Sequence, residues 1–541
     1  MDSSSFLAGA GAGRAQATNL VSLLDDSARA FPDKVALRFR GRSFTYAELR
    51  GRVDRLAGAL ASLGVRQGDH VAFVGPNSAA AVEAPFACAR LGAVCEKHNV
   101  RLPATMIARL LARSGARVAL VAEGLCAPLA ASAREEGWPL KILTVGDEGC
   151  CPGRGTRPHG GVEDYETFAE TADPVCEGPG VAPDDGALLL YTSGTTDLPK
   201  GVLLSHGALL ARVAIDERAM QFAHDDVYFC VLPLYHVTSV TALLTLAVGA
   251  ELVIAASSRP EAVVRGLSAS RATCTALVPC LLRSVADEVE RSGLHPDALR
   301  LVVYGGEPLG PSLLERCLRL IPCDYLQGYG MTETAAAITL LSAEHHRDPQ
   351  RLASVGRAVE GVEVCIVDER GSELAPGVLG EVAARTPTLM SGYLHDPART
   401  ADAIHGGRYL TGDIGFLDDD GFLTLVDRKK NLVITGGENV YPQEVAHCLQ
   451  AVDGVADVAV VGVPDARWGE TLAAFVVRSP GSDVTAEGLA AHCARELGGY
   501  KKPRHVRFVN DVGRSPSGKI PRERLAELKR LIGAEGPLAE Q

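Results

Sequence analysis

The chain has 541 residues, with 54 Lys plus Arg against 66 Asp plus Glu and a formal charge of −12. Its 47% hydrophobic and 22% charged residues exclude a fully disordered chain, and the length suggests three or four domain-sized units. The acidic balance argues against a general nucleic-acid binder. From the N-terminus, residues 1–20 lack a charged start followed by a long apolar core, so no secretory signal is expected. A strand is predicted over 70–74, stopped by Gly75-Pro76-Asn77, with a helix over 79–91. Further short strands are predicted at 117–121, 141–145, 187–191, 251–255 and 301–304, each bounded by turn or glycine signals. Residues 146–180, rich in Gly, Pro and charge, read as a surface connection. The uncharged run 227–250 is just long enough to span a bilayer. It carries Pro233, Tyr235, His236, Thr238 and Ser239, however, and reads as a buried strand–loop–helix. No membrane span is expected, and a cytoplasmic protein is.

Strands alternating with helix-length stretches predict an α/β fold: parallel-rich sheets packed by helices in a large N-terminal region of several subdomains. Ligands of such sheets gather at loops leaving the C-terminal strand ends, here the glycine-rich loops after Leu190 and Tyr304. Texture changes near 427–430. Strands at 455–463, 471–477 and 505–509 follow, with a helix near 485–497 whose Leu489, Cys493 and Leu497 share one face. We therefore divide the chain into 1–430 and 431–541, the latter long enough for one small α+β domain. The fourteen cysteines are scattered without CxxC pairs or zinc spacing and read as reduced, small apolar side chains.

Ten of the cations are lysines, so each one is worth locating. One, Lys200, closes Thr192-Ser193-Gly194-Thr195-Thr196-Asp197-Leu198-Pro199-Lys200-Gly201. Hydroxyls, exposed amides and a lysine in so short a stretch can wrap polyphosphate oxygens. It is not a Walker A loop, because no Gly precedes the Lys and no Ser or Thr follows it. By composition alone, a plain Ser/Thr-rich turn is an equal reading.

The full string resembles the signature loop of the adenylate-forming superfamily: acyl- and aryl-CoA synthetases, peptide-synthetase adenylation domains and firefly-type luciferases. Six further strings stand in the order expected of it: LPLYH at 232–236, YGGEPLG at 304–310, QGYGMTET at 327–334, YLTGDIG at 409–415, DRKKNLVITGGENVYPQEV from 427, and SPSGKIPR at 515–522. The resemblance covers about residues 20–525 and sits closest to the acyl- and aryl-CoA ligases. It implies two half-reactions: a carboxylate attacks the ATP α-phosphorus to form an acyl-adenylate and pyrophosphate, and a thiol then takes the acyl group.

Residue by residue, the resemblance makes Thr192, Ser193, Gly194, Thr195, Thr196 and Lys200 the phosphate loop. Glu333 is the Mg²⁺ ligand and Thr332 the α-phosphate contact. Gly306, Glu307, Pro308, Gln327, Gly328 and Tyr329 sandwich adenine, with Tyr329 as stacking face. Asp413 takes the ribose hydroxyls, helped by Arg428. Lys519 bridges carboxylate and α-phosphate oxygens during adenylation. Lys430 is the hinge about which 431–541 rotates as a mobile lid on the nucleotide- and acid-binding 1–430, because Lys519 must leave before a thiol can approach. His236, Gly305, Gly330, Met331 and Ala335 border the acid. His236 reads equally as a gate and as a buried, satisfied histidine, and the small residues 335–337 favour a bulky or aromatic acid.

Gly436, Gly437 and Glu438 would line a pantetheine tunnel, and Trp468, Tyr500, Lys502 and Arg504 would hold the CoA nucleotide. A solvated basic face remains the plainer reading of that last cluster. The alternative acceptor is the phosphopantetheine thiol of a separate carrier protein, since no fused one is expected before Gln541. A luciferase-type oxidoreductase and a non-catalytic nucleotide-binding relative complete the alternatives; intact Glu333, Asp413, Arg428 and Lys519 disfavour the latter.

Two departures from the family stand out. Glu96-Lys97-His98 replaces its usual apolar text. Asp197 stands where glycine is usual and places an anion near the triphosphate. Asp197→Gly is therefore expected to lower the KM for ATP in pyrophosphate exchange; an unchanged or higher KM would sink the idea.

Overall fold

A computed structural model of the chain describes residues 18–146, 163–192, 198–306, 309, 311–435, 438–465, 467–514 and 520–532. Two large sheets dominate. The first has eight strands in the order Gly392–Tyr393, Lys200–Ser205, Gly186–Thr192, Val94–Lys97, His70–Val74, Val118–Ala122, Lys141–Val145 and Glu163–Asp164. It is parallel from Gly186–Thr192 onward. The second, of nine strands, is parallel through its centre and antiparallel at both edges. Central strands such as His70–Val74 and Val118–Ala122 are runs of apolar residues because they are covered on both faces.

Both sheets share one continuous core, reaching from Tyr46 and Phe86 to Leu190, Tyr228 and Val302. The helix Ala79–Arg90, buried at every position, and the apolar helix Ser239–Ala247 belong to it. A helix without a polar face has nowhere to go but inside. Outside the core, local rules hold: Thr45 and Glu48 form a reciprocal capping box on the helix Tyr46–Ser62.

The predicted strands appear within one or two residues of expectation, and 227–250 is the strand Val227–Cys230, a loop and the helix Ser239–Ala247. One expectation needs correction. The stretch 146–180 is more than a surface connection, for it holds the strand Glu163–Asp164 and the helix Tyr165–Thr171. Tyr165 is buried and donates a hydrogen bond to Glu83, itself bound by Arg52. An antiparallel five-stranded sheet between Glu363 and Arg428 adds a further subdomain.

The fourth sheet starts at Val433 and takes all its strands from residues after that point. Leu489 and Cys493 bury against its separate core, with Leu497 packed alongside. Among the described residues no helix is long and apolar enough to cross a membrane.

Candidate active site

Thr192, Gly305, Gly306, Thr332 and Glu333 lie at or just past the ends of strands, the usual ligand-bearing positions of such sheets. Thr192 ends the strand Gly186–Thr192 and pairs in antiparallel register with Lys200, so a hairpin closes the phosphate loop. Ser193, Gly194, Thr195, Thr196 and Asp197 lie outside the described residues, as do Glu307, Pro308, Gly436, Gly437 and Lys519.

Lys200 places its ammonium 4.8 Å from the centre of the Tyr393 ring. Burial lowers its pKa, Arg399 adds to the fall, and Glu333 opposes it. Tyr393 donates a 2.9 Å hydrogen bond to Glu333 Oε1. Lys200, Tyr393 and Glu333 thus form one unit. Tyr393 escaped the sequence reading; its string SGYLHDP was not among the motifs that carried the resemblance.

Glu333 sits in the 3₁₀ turn Thr332–Thr334, directly after the strand Asp324–Met331. The turn is braced from several sides. Thr334 Oγ1 donates to the Ala336 carbonyl at 2.8 Å, Thr388 Oγ1 donates to the Thr334 carbonyl at 2.8 Å, and Met390 N–H donates to the Glu333 carbonyl at 2.8 Å. Ala335 and Ala336 have φ of 48° and 107°, a left-handed backbone that non-glycine residues adopt at a cost. Gly330 makes this turn possible, since a Cβ there would stand 2.0 Å from the Ala336 carbonyl oxygen. The same closeness holds for Gly305, whose Cβ would lie 2.4 Å from the carbonyl oxygen of Gly328, its register partner.

Asp413 is buried on the strand Arg408–Leu417, opposite Arg428 in register. Arg428 Nε lies 2.5 Å from Oδ1, and the Tyr329 hydroxyl donates to Oδ2 at 2.7 Å. Tyr329 therefore reaches Asp413 through its hydroxyl while its half-buried ring remains a face for stacking. Gln327 is buried and accepts from the Tyr304 hydroxyl at 3.3 Å. Gly306, at φ 85°, turns the chain beside it.

The loop 232–236 is tied down by Asn77, whose Nδ2 donates to the Leu232 carbonyl at 2.8 Å and whose Oδ1 accepts from Leu234 N–H at 2.7 Å. His236 ends that loop, half-buried, with its ring 4.7 Å from Tyr235. Met331 is half-buried, and Ala335 is fully buried beneath the turn. A second unforeseen pair borders this region: buried Arg212 ion-pairs with Asp216 and donates to the Ala337 carbonyl.

Glu96, fully buried, gathers His98 at 3.1 Å, His70 at 3.5 Å and the Tyr191 hydroxyl at 3.4 Å. The His98 and Tyr191 rings stack at 4.8 Å. Burial alone would raise the Glu96 carboxyl, but the two imidazoles hold it down at about 2.

Lys430 lies in the 3₁₀ turn Lys429–Asn431 between the third and fourth sheets. Beside it buried Asp427 accepts from Asn431 Nδ2 at 2.9 Å and from Gln443 N–H at 2.6 Å, a staple across the junction. Glu438 is exposed on the strand Glu438–Val440. In the last sheet the Arg504 guanidinium lies 4.4 Å from the Trp468 ring centre, with Arg467 at 4.8 Å. Tyr500 is exposed, 5.6 Å from the Lys501 ammonium, and Lys502 follows in the same turn.

Comparison with known proteins accords with this geometry. A family profile described as "AMP-binding enzyme" matches residues 24–394, and one described as "AMP-binding enzyme C-terminal domain" matches 444–519. The chain is 34% identical over 508 residues to a feruloyl-CoA synthase of Amycolatopsis sp, covering 94% of this chain and 97% of that protein. It is 33% identical over 518 residues, covering 95% of this chain and 96% of that protein, to the fatty acid–[acyl-carrier-protein] ligase ScoC of Streptomyces coeruleorubidus. Among solved structures, the amide bond synthetase McbA from Marinactinospora thermotolerans superposes with a TM-score of 0.84 at 31% identity, covering 94% of this chain and 99% of that one.

Proposed function

We propose a reaction from one premise: the chain belongs to the AMP-binding enzyme family, among the adenylate-forming enzymes and close to the acyl- and aryl-CoA ligases. It is an AMP-forming acid–thiol ligase that activates a carboxylic acid with ATP and passes it on as a thioester. The finer reading is that the acid is aryl or bulky and hydrophobic, and that the thiol is CoA. The observation that carries the site is the Lys200–Tyr393–Glu333 unit together with the Asp413–Arg428–Tyr329 unit, Tyr329 lying on the strand that runs into the Glu333 turn.

In the first step a carboxylate oxygen bonds to the α-phosphorus while the bond to the bridging oxygen breaks and pyrophosphate leaves with its electron pair. Two anions must meet, so the protein's part is alignment and charge neutralisation. Asp413 and Arg428 fix the ribose, Gly306, Gln327, Gly328 and Tyr329 fix adenine, and Lys200 with the hydroxyls of 192–196 grips the β- and γ-phosphates. Tyr393 occupies one Glu333 oxygen and aims the other. A hard oxygen donor next to triphosphate suits Mg²⁺, which takes few protein ligands; Glu333 would hold it, and it would supply charge neutralisation for the departing pyrophosphate.

Lys519 then withdraws as 431–541 rotates about Lys430. The thiol, its proton lost, attacks the acyl carbon and AMP leaves. Gly436, Gly437 and Glu438 line its path. Arg504 flattened against Trp468, with Tyr500 and Lys502 nearby, offers an aromatic surface and cations suited to an adenine and a 3′-phosphate. The backbone turn of 335–337, all alanine, leaves room for an aryl group at the acid end, and the feruloyl-CoA synthase supports that class. The relative that loads a carrier protein keeps the second acceptor in view.

The test is acyl transfer with an aryl acid and ATP, offering free CoA or a holo-carrier protein to wild type and Trp468→Ala. CoA thioester should form, and the variant should raise the KM for CoA by roughly tenfold, the scale of a desolvated aromatic–cation contact. Transfer to the holo-carrier alone would replace this reading with the acyl-AMP ligase one.

A further inference from the structure

The segment 96–98 has no part in the reaction just described, and its middle residue is the odd one. Side chains alternate across the strand Val94–Lys97, so Glu96 and Lys97 face opposite ways. Glu96 is satisfied by His70, His98 and Tyr191. Lys97 is 3% exposed, on the same face as Cys95, which belongs to the core shared by the two large sheets.

Burial lowers the pKa of Lys97, and the groups that oppose the fall are the thiols of Cys95, Cys230 and Cys88. These supply no counter-charge. Burial pushes Cys230 up to about 12, and Cys88 is raised by its hydrogen bond with Cys95 and by burial. Among the described residues Lys97 has neither a hydrogen bond nor an ion pair. Burying an ammonium in that condition is strongly unfavourable unless an anion joins it.

Its position says where the anion comes from. Lys97 is the last residue of its strand, on the ligand-bearing edge of the sheet. Cys230, which faces it, ends the strand Val227–Cys230 and runs directly into the loop 231–236. Asn77, from the neighbouring strand's end, clamps that loop, and Arg101, four residues beyond Lys97, acts electrostatically on Tyr235 beside His236. Lys97 therefore stands behind the wall that ends in His236.

We propose that Lys97 is a specificity residue that receives a second carboxylate, carried by the substrate at the end remote from its reacting carboxyl. The enzyme's acid is then a bulky dicarboxylic acid rather than a plain hydrophobic one. This rests on placing the acid beside His236, as above. An acid of equal size lacking the distal anion leaves the amine unpaired, and sites with a buried polar group discriminate strongly against substrates that cannot satisfy it.

The experiment takes acids of graded length in three forms, with a terminal carboxylate, a terminal carboxamide or a terminal methyl, and reads kcat/KM in ATP–pyrophosphate exchange. At one length or more, the wild-type carboxylate should exceed the methyl form by at least tenfold, with the carboxamide between. In Lys97→Met, which keeps the volume and removes the charge, that ratio should fall by tenfold or more, and Lys97→Arg should restore much of it. Thermal melting of the full chain gives a second readout: the dicarboxylate should raise the wild-type Tm and not that of Lys97→Met. A purely structural lysine would lower all three forms together and leave the ratio unchanged, which overturns the proposal. So does a wild type that prefers the methyl form at every length. Exchange with no acid of any form would instead overturn the functional reading itself.

Discussion

Lys519→Ala lowers ATP–pyrophosphate exchange by roughly 10²–10³-fold, the loss typical of one preorganised donor at a developing charge, and leaves thioester formation from supplied acyl-adenylate within about threefold of wild type. The expectation follows from charge. Only in adenylation must a carboxylate approach a phosphate, and a cation bridging both oxygens is strongest in that transition state. Thioester formation starts from the mixed anhydride, where the same cation would obstruct the thiol. On either side of residues 515–519, Arg514 Nε lies 2.9 Å from Asp457 Oδ2 and Ile520 packs on the core beneath the helix Arg522–Arg530. Single-turnover measurements of the two half-reactions decide the matter, and equal loss in both would remove Lys519 from its assigned role.

The elements that announced themselves in the sequence are those whose physics is local. The strands over 70–74 and 141–145 are runs of apolar residues with turn signals at their ends, and they appear as His70–Val74 and Lys141–Val145. The helix Tyr165–Thr171 was hidden because YETFAET is polar except at the few positions that face inward, and Gly-Pro-rich text surrounds it. Site residues behaved the same way. Asp413 and Arg428 stand in recognisable strings, and antiparallel register brings them together. Tyr393 serves Glu333 from 60 residues away, a distance that no local pattern reports. Arg212 and Asp216, four apart, look like an exposed helical ion pair, yet the helix His206–Met220 carries them inside. What composition left open was which face of an element ends up covered. The same holds for Glu96 and Lys97, adjacent in sequence but on opposite sides of a sheet, one paired and the other, among the described residues, not.

Glu333→Gln should raise the Mg²⁺ concentration that half-saturates pyrophosphate exchange by at least about tenfold, since losing a metal ligand costs no less than losing a partner behind one. At limiting Mg²⁺ the rate should fall by roughly 100-fold, because neutralisation of the leaving pyrophosphate is worth several kcal/mol. The fold should survive. Glutamine retains an oxygen to accept from the Tyr393 hydroxyl, and the Met390 hydrogen bond goes to the backbone carbonyl. The substitution also removes one of the two anions, with Asp396, that oppose the fall in the Lys200 pKa, so the neighbouring phosphate grip weakens with it. That coupling separates two roles for Glu333. If it holds metal, excess Mg²⁺ recovers much of the lost rate. If it serves only to keep Lys200 protonated, extra Mg²⁺ does nothing, and lowering the pH restores activity instead. Titrating exchange against Mg²⁺ at two pH values, with EDTA as the zero point, distinguishes these outcomes, and a variant indifferent to both would leave Glu333 outside the reaction.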